Sequence, residues 1–190
     1  FSPVSIEKKI LLKTTFGIPQ EAFTFCYVGR INYEKGISEM IDAFIRLKEN
    51  PYLIIAGNFD GEYPISKKHQ KIIILHPRII HLGFVDDIKK VYGASDISVL
   101  VSYREGFPNT ILESCSMGVP CIASNVNGSR EIIKTNKTGW LIPIMDKENT
   151  FIAMNTSMQS LEKLKIIGMN CRELIMEKFT KRKYLKELIS

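Results

Sequence analysis

Long apolar runs are missing from this chain of 190 residues: stretches such as 72–75 and 97–101 end within a few positions. A membrane-spanning helix needs roughly 18 to 20 continuous apolar residues, so none is expected. Cysteine is sparse. The four, at positions 26, 115, 121 and 171, form no C-x-x-C pair and have no histidine at ligand spacing, so neither a zinc site nor a disulfide framework is indicated and a reducing cytosol is the natural setting. The dinucleotide fingerprint G-x-G-x-x-G is also absent. The opening Phe1-Ser2-Pro3-Val4 has neither an initiator methionine nor a signal-peptide pattern, and reads as chain entered partway through a larger protein. Three histidines, His69, His76 and His81, lie outside every motif described below and are given no catalytic role.

What is present suits one compact α/β domain. Hydrophobic residues make up 45% of the chain, enough for a substantial core. The formal net charge of +6 is spread along helices and concentrated near the end, at Lys178, Lys181, Arg182, Lys183 and Lys186. It reads as a solvated basic face, with contact to anionic lipid headgroups as the alternative and no nucleic-acid partner. After a lead-in of about twenty residues, β-rich or unbroken apolar runs predict strands at 23–28, 52–57, 79–82, 96–102, 120–124 and around 140–142. Helical spacing predicts helices over 37–47, 66–75, 87–92, 109–117 and 129–133, and from 147 to the end. Regular alternation with short connections implies a doubly wound, mostly parallel sheet flanked by helices, with a helical C-terminal segment. In such sheets ligands bind beyond the carboxyl ends of the strands.

Two of those strand ends carry chemistry. Gly29-Arg30-Ile31-Asn32-Tyr33-Glu34-Lys35-Gly36 sets two cations five residues apart, between a strand and a helix. Arginine offers a planar fork of donors, lysine a compact charge and the helix start its amides, a set that suits a diphosphate. As an isolated loop it could equally be solvated surface. The second run is Ser102-Tyr103-Arg104-Glu105-Gly106-Phe107-Pro108-Asn109-Thr110-Ile111-Leu112-Glu113. Glu105 leaves a buried strand and Glu113 lies about one turn into the next helix, so both carboxylates can face one cleft and accept hydrogen bonds from vicinal hydroxyls. Paired carboxylates also fit general acid/base hydrolysis. The neighbouring cations argue instead for a phosphorylated ligand.

These runs, with Pro120-Cys121-Ile122-Ala123-Ser124, Gly128-Ser129-Arg130-Glu131-Ile132-Ile133 and Thr138-Gly139-Trp140-Leu141-Ile142, resemble the C-terminal, Rossmann-like domain of glycosyltransferase family 4, with the GT-B fold, over about residues 20–145. The resemblance implies that Arg30 and Lys35, behind Gly29, hold the donor diphosphate and neutralise leaving-group charge, the task a divalent metal performs in other transferases. No D-x-D motif occurs, consistent with no metal and no cofactor. It further implies that Glu105 grips sugar hydroxyls and Glu113 the ribose. The loop of Gly106, Phe107, Pro108, Asn109 and Thr110 would line sugar and phosphates through its amides, proline lacking one, and Phe84 and Val85 would lie near the base. Cys115, Met117 and Cys121 read as core, and Glu131 as helix surface or a pairing residue near the site.

The activity so implied is transfer of a hexose or N-acetylhexosamine, with retention, from a nucleotide-sugar donor, a UDP-sugar, to a glycan or lipid-linked acceptor of surface polysaccharide. The acceptor site would come from an N-terminal domain not contained in these residues. The expected division is 1–20 as interdomain lead-in, 21–175 as donor-binding domain, and 176–190 as a helix returning toward that missing domain. Such a chain would bind nucleotide but turn over little, in the cytoplasm or peripherally on the inner membrane face. A GT-B epimerase or phosphorylase is a second reading, opposed by the two glutamates with G-F-P between them and by the lack of an identifiable cofactor lysine. A noncatalytic nucleotide-sugar-binding module is a third.

Overall fold

The computed structural model describes residues 1–179. Six strands, β1 (Thr24–Val28), β2 (Tyr52–Ala56), β3 (Ile79–Gly83), β4 (Ile97–Leu100), β5 (Cys121–Ser124) and β6 (Gly139–Ile142), form one sheet in the order β3-β2-β1-β4-β5-β6. Every pairing between these strands is parallel. Among the described residues eight α-helices connect or flank them: α1 (Ile6–Thr15), α2 (Ile37–Phe44), α3 (Lys67–Leu75), α4 (Lys89–Ala94), α5 (Asn109–Ser116), α6 (Asn127–Ile132), α7 (Lys147–Met158) and α8 (Leu161–Lys178). The expected doubly wound architecture is therefore the one observed.

Strand alternation explains the two layers of core. Phe25 and Tyr27 of β1, with Leu53 and Ile55 of β2, turn toward a cluster holding Ile37, Met40, Ile41 and Phe44 of α2 and Met154 of α7. Cys26, Ile54 and Ala56 turn the other way, onto Leu12 of α1 and Val91 and Tyr92 of α4. A strand buried on both faces favours apolar side chains, which is why these runs are mostly apolar in the sequence, with only small hydroxyl residues such as Thr24, Ser98 and Ser124 buried among them. All four cysteines are buried and unbridged, and Cys115, Met117 and Cys121 are core residues as expected.

The lead-in has more structure than its sequence pattern implies. Residues 6–15 form α1, capped by the Ser5 hydroxyl accepting from the Lys8 amide. It is fastened to the sheet by charge: Lys9 Nζ lies 2.7 Å from Asp96 Oδ1 and Lys13 Nζ 3.6 Å from Asp96 Oδ2, while Asp96 also accepts from the Thr24 amide at the start of β1. The long C-terminal helix of the sequence reading is two helices, because Ser160 leaves helical geometry and caps α8 by accepting from Lys163 N. α8 runs without interruption past position 176, and residues 180–190, including Lys181, Arg182, Lys183 and Lys186, lie outside the described residues.

The Lys13 side chain is 7% exposed, so Asp96 balances a cation that water barely reaches. Asp96→Ala is expected to cost about 3 to 5 kcal/mol in urea unfolding, since removing one member of a buried pair strands the other. A Lys13→Met change in that background should recover most of the loss.

Candidate functional site

Strand order reverses between β1 and β4, so the loops that follow them diverge and leave a crevice at their carboxyl ends. These are the two loops singled out in the sequence. Residues 29–36 leave β1, pass through a 3-10 turn (Tyr33–Lys35) and enter α2 at Gly36. The buried Asn32 side chain caps that turn, accepting from the Lys35 amide at 3.1 Å. Gly36 is left-handed, with φ of 65°, and a Cβ there would overlap the Val101 carbonyl oxygen just beyond β4. Only glycine reconciles this turn with this approach.

The two loops are joined beyond that contact. The Tyr103 amide donates to the Glu34 carbonyl at 2.8 Å, the Tyr103 hydroxyl donates to Glu39 Oε1 at 2.8 Å, and the rings of Tyr33 and Tyr103 meet edge to face. Burial, then the adjoining Glu39 carboxylate, raises the Tyr103 hydroxyl above its usual range, so it remains a donor. Arg104 reaches Glu34 at 2.8 Å. At the centre, Lys35 Nζ lies 2.6 Å from Glu105 Oε1, both side chains largely shielded from water. Two residues 70 positions apart thus form one charge-assisted hydrogen bond.

The remaining predicted residues fall around this pair with different fates. Arg30 does not share the Lys35 partner: its guanidinium is exposed and lies 3.0 Å from Asp60 Oδ2, in the loop after β2. Asp60 escaped the sequence reading. Its carboxyl is held below the ordinary range, chiefly by the Asn32 side-chain amide, then by the Glu62 backbone amide, with Arg30 adding less. The only signal for it was position, since the β2 loop adjoins the β1 loop at the same sheet edge. Gly29 is tied to that edge, its amide donating to the Ala56 carbonyl.

In the second loop, Pro108 is buried and precedes α5 as its cap residue. The Asn109 amide turns back to the Phe107 carbonyl at 3.0 Å. Among the described residues no protein acceptor takes the amides of Gly106, Phe107 or Thr110, so three of the four expected donors remain available. Gly128, quoted earlier only as part of a pattern, supports this loop. Its amide donates to the Glu105 carbonyl, and a Cβ on it would overlap the Gly106 carbonyl. Glu113 is half-buried and accepts from the Tyr92 hydroxyl at 3.2 Å. Burial raises its carboxyl above the ordinary range, against the lowering effect of that hydroxyl. Phe84, 75% exposed, and Val85 follow β3, two strands from the crevice; the Gly57 amide donating to the Gly83 carbonyl ties the β2 and β3 ends together. Glu131 is exposed on α6.

Against known proteins, the profile described as Glycosyl transferases group 1 matches residues 9–173. An Escherichia coli relative, UDP-Gal:alpha-D-GlcNAc-diphosphoundecaprenol alpha-1,3-galactosyltransferase, is 32% identical over 184 residues, 94% of this chain and 47% of its own. Anabaena HepE, solved in complex with UDP-glucose, shares the fold at a TM-score of 0.88 with 22% identity, over 99% of this chain and 55% of that one. The C-terminal domain of LpcC, a glycosyl transferase group 1 family protein from Francisella tularensis, does so at 0.83 with 25% identity, over 95% of this chain and 96% of that one. The chain spans about half the length of the curated relatives it matches.

The contact at Gly36 is what sets Lys35 beside Glu105. Gly36→Ala should lower stability by about 1 to 3 kcal/mol, from left-handed strain and overlap with Val101. In amide-exchange measurements the loss of protection should centre on residues 33–40 and 101–105, whereas a uniform loss would mean that the contact does not organise the crevice.

Proposed function

The chain belongs to the glycosyl transferases group 1 family, and on that premise we propose that it is the donor-binding half of a retaining glycosyltransferase. It takes a hexose or N-acetylhexosamine from a UDP-sugar and passes it to a glycan or lipid-linked acceptor of surface polysaccharide. The acceptor site comes from an N-terminal domain. The E. coli relative, whose name specifies UDP-Gal, and HepE, solved with UDP-glucose, support the choice of donor.

The observation that carries the reading is the 2.6 Å contact between Lys35 and Glu105 at the strand-order reversal. An ammonium and a carboxylate held together there meet the two needs of a nucleotide sugar: a cation for its diphosphate and an acceptor for its hydroxyls. When the bond between anomeric carbon and phosphate oxygen breaks, its electron pair stays on the diphosphate. Lys35, Arg30 and the available amides of Gly106, Phe107 and Thr110 stabilise that charge, the task assigned to them in place of a divalent cation. Glu105, exchanging its lysine for sugar hydroxyls, fixes the ring while the acceptor oxygen forms the new bond to the anomeric carbon and its proton passes to the departing diphosphate oxygen. Glu113 takes the ribose, and the base lies toward Phe84 and Val85.

Calorimetry with UDP tests the assignment directly. The chain should bind UDP, and Lys35→Ala should weaken binding roughly tenfold or more, as loss of a charge-assisted contact does. In the complete enzyme Lys35→Ala or Arg30→Ala should lower kcat on the order of 10²-fold. Unchanged UDP affinity in Lys35→Ala would overturn the diphosphate assignment.

Glu113 adds a pH signature. Only its ionised form is a pure acceptor, so its contribution to UDP affinity is full above its raised pKa and fades as pH falls through it, beginning above the ordinary value of 4.5. Comparing wild type with Glu113→Gln across that range removes the titration of UDP itself. A constant ratio of the two affinities would exclude the ribose contact.

A further inference from the structure

The outward face of one helix carries side chains that the fold itself does not use. α3 packs against α2 and against β3, the strand at one edge of the sheet. Inward it buries Ile73, while His69 Nε2 lies 3.0 Å from Asp42 Oδ1 of α2. Lys67, Lys68, Lys71, Ile74 and Leu75 are all exposed, the last two by 62% and 64%. At about 3.6 residues per turn these five share one face, turned away from the domain.

Local stability does not account for that composition. Lys67 and Lys68 stand in the first turn, where the helix dipole disfavours cations, and no acid accompanies them there. Lys67 and Lys71, four positions apart, repel each other. Among the described residues none of the three lysines forms an ion pair. Asp42, the acid that reaches α3 from α2, is taken by His69. Two large aliphatic side chains meanwhile stay in water, forgoing the burial that stabilises a core. α8 also exposes Ile166, Met169 and Met176, but Glu162, Glu173 and Glu177 are exposed among them. On α3 the exposed face is aliphatic and cationic, with no acid anywhere along the helix.

We infer that this face docks on an anionic lipid bilayer. Ile74 and Leu75 enter the boundary between headgroups and acyl chains, and the three ammonium groups meet lipid phosphates around them. Lysine suits this arrangement, because its aliphatic stem lies along an apolar surface while its charge stays in water. A nucleic acid would match the lysines and leave both aliphatics without a partner. With nine residues, α3 lies on the surface and is too short to cross it. None of the five residues belongs to the donor crevice, so this docking stands or falls independently of the donor reading.

Co-sedimentation of the whole chain with phosphatidylcholine vesicles, with and without one-third phosphatidylglycerol, tests it. Partitioning should be far stronger with the anionic lipid. Such a surface strengthens attachment by about fivefold per lysine, so the triple variant Lys67→Gln, Lys68→Gln, Lys71→Gln should bind on the order of 10²-fold more weakly. Ile74→Gln with Leu75→Gln should weaken binding roughly tenfold. Because all five side chains are exposed, both variants should keep the urea midpoint of the wild type, which separates lost binding from lost fold. A matched removal of three charges outside α3, Lys181→Gln, Arg182→Gln, Lys183→Gln, should weaken binding far less. The inference falls if the chain ignores anionic vesicles, if the α3 lysine variant binds as the wild type does, or if the two triple variants lose equally, as diffuse charge would. It falls also if the change at Ile74 and Leu75 has no effect, which would assign the lysines to a soluble polyanion such as nucleic acid.

Discussion

The site depends on how closely two stretches of backbone approach each other. Where β1 and β4 part, the chain must bring one loop against the other strand end, and the missing side chain at Gly36 is what allows it. The ion pair at the centre of the crevice follows from that steric fact. Lys35 precedes Gly36, Glu105 lies four residues beyond Val101, and their 2.6 Å contact is a consequence of the backbones having met. The Tyr103 contacts to Glu34, Glu39 and Tyr33 then hold the approach from one side, as Gly128 holds the Glu105 loop from the other.

The same logic separates the two cations that the sequence sets five residues apart. A helix-like turn between them, capped by Asn32, sends Lys35 toward the β4 loop and leaves Arg30 over the β2 loop with Asp60. They approach the crevice from different directions, each held by an acid from a different strand end. That arrangement suits an elongated anion with charge on more than one group better than a compact one.

Much of this was legible in the sequence because the signals are local. Central strands covered on both faces are mostly apolar, and glycines and prolines mark their ends, so the six strands and the helices between them were readable in order. The E-x7-E run and the R-x4-K loop were readable as chemistry for the same reason. What escaped is held by distant partners. α1 has a weak pattern, IEKKILLKTT, and owes its place to Asp96, more than 80 positions away. Asp60 sits in a polar loop resembling any other until β2 is laid beside β1. The ending of α2 at Phe44, rather than three residues later, and the division of α7 from α8 at Ser160 are decided by caps and packing that periodicity does not encode.

The Lys35–Glu105 pair has a consequence for the energetics of ligand capture. A solvated ammonium must shed water before it can grip a phosphate, and that dehydration opposes binding. Here the ammonium is already three-quarters shielded and matched to an anion when the chain folds. Were Lys35 to take the diphosphate as proposed, the incoming anion would exchange with a resident one instead of displacing a full hydration shell, and would leave a carboxylate newly released in the same spot. Until such an exchange the ammonium is matched by its own carboxylate, so at that spot the vacant protein offers passing anions a neutral pair and not a bare cation.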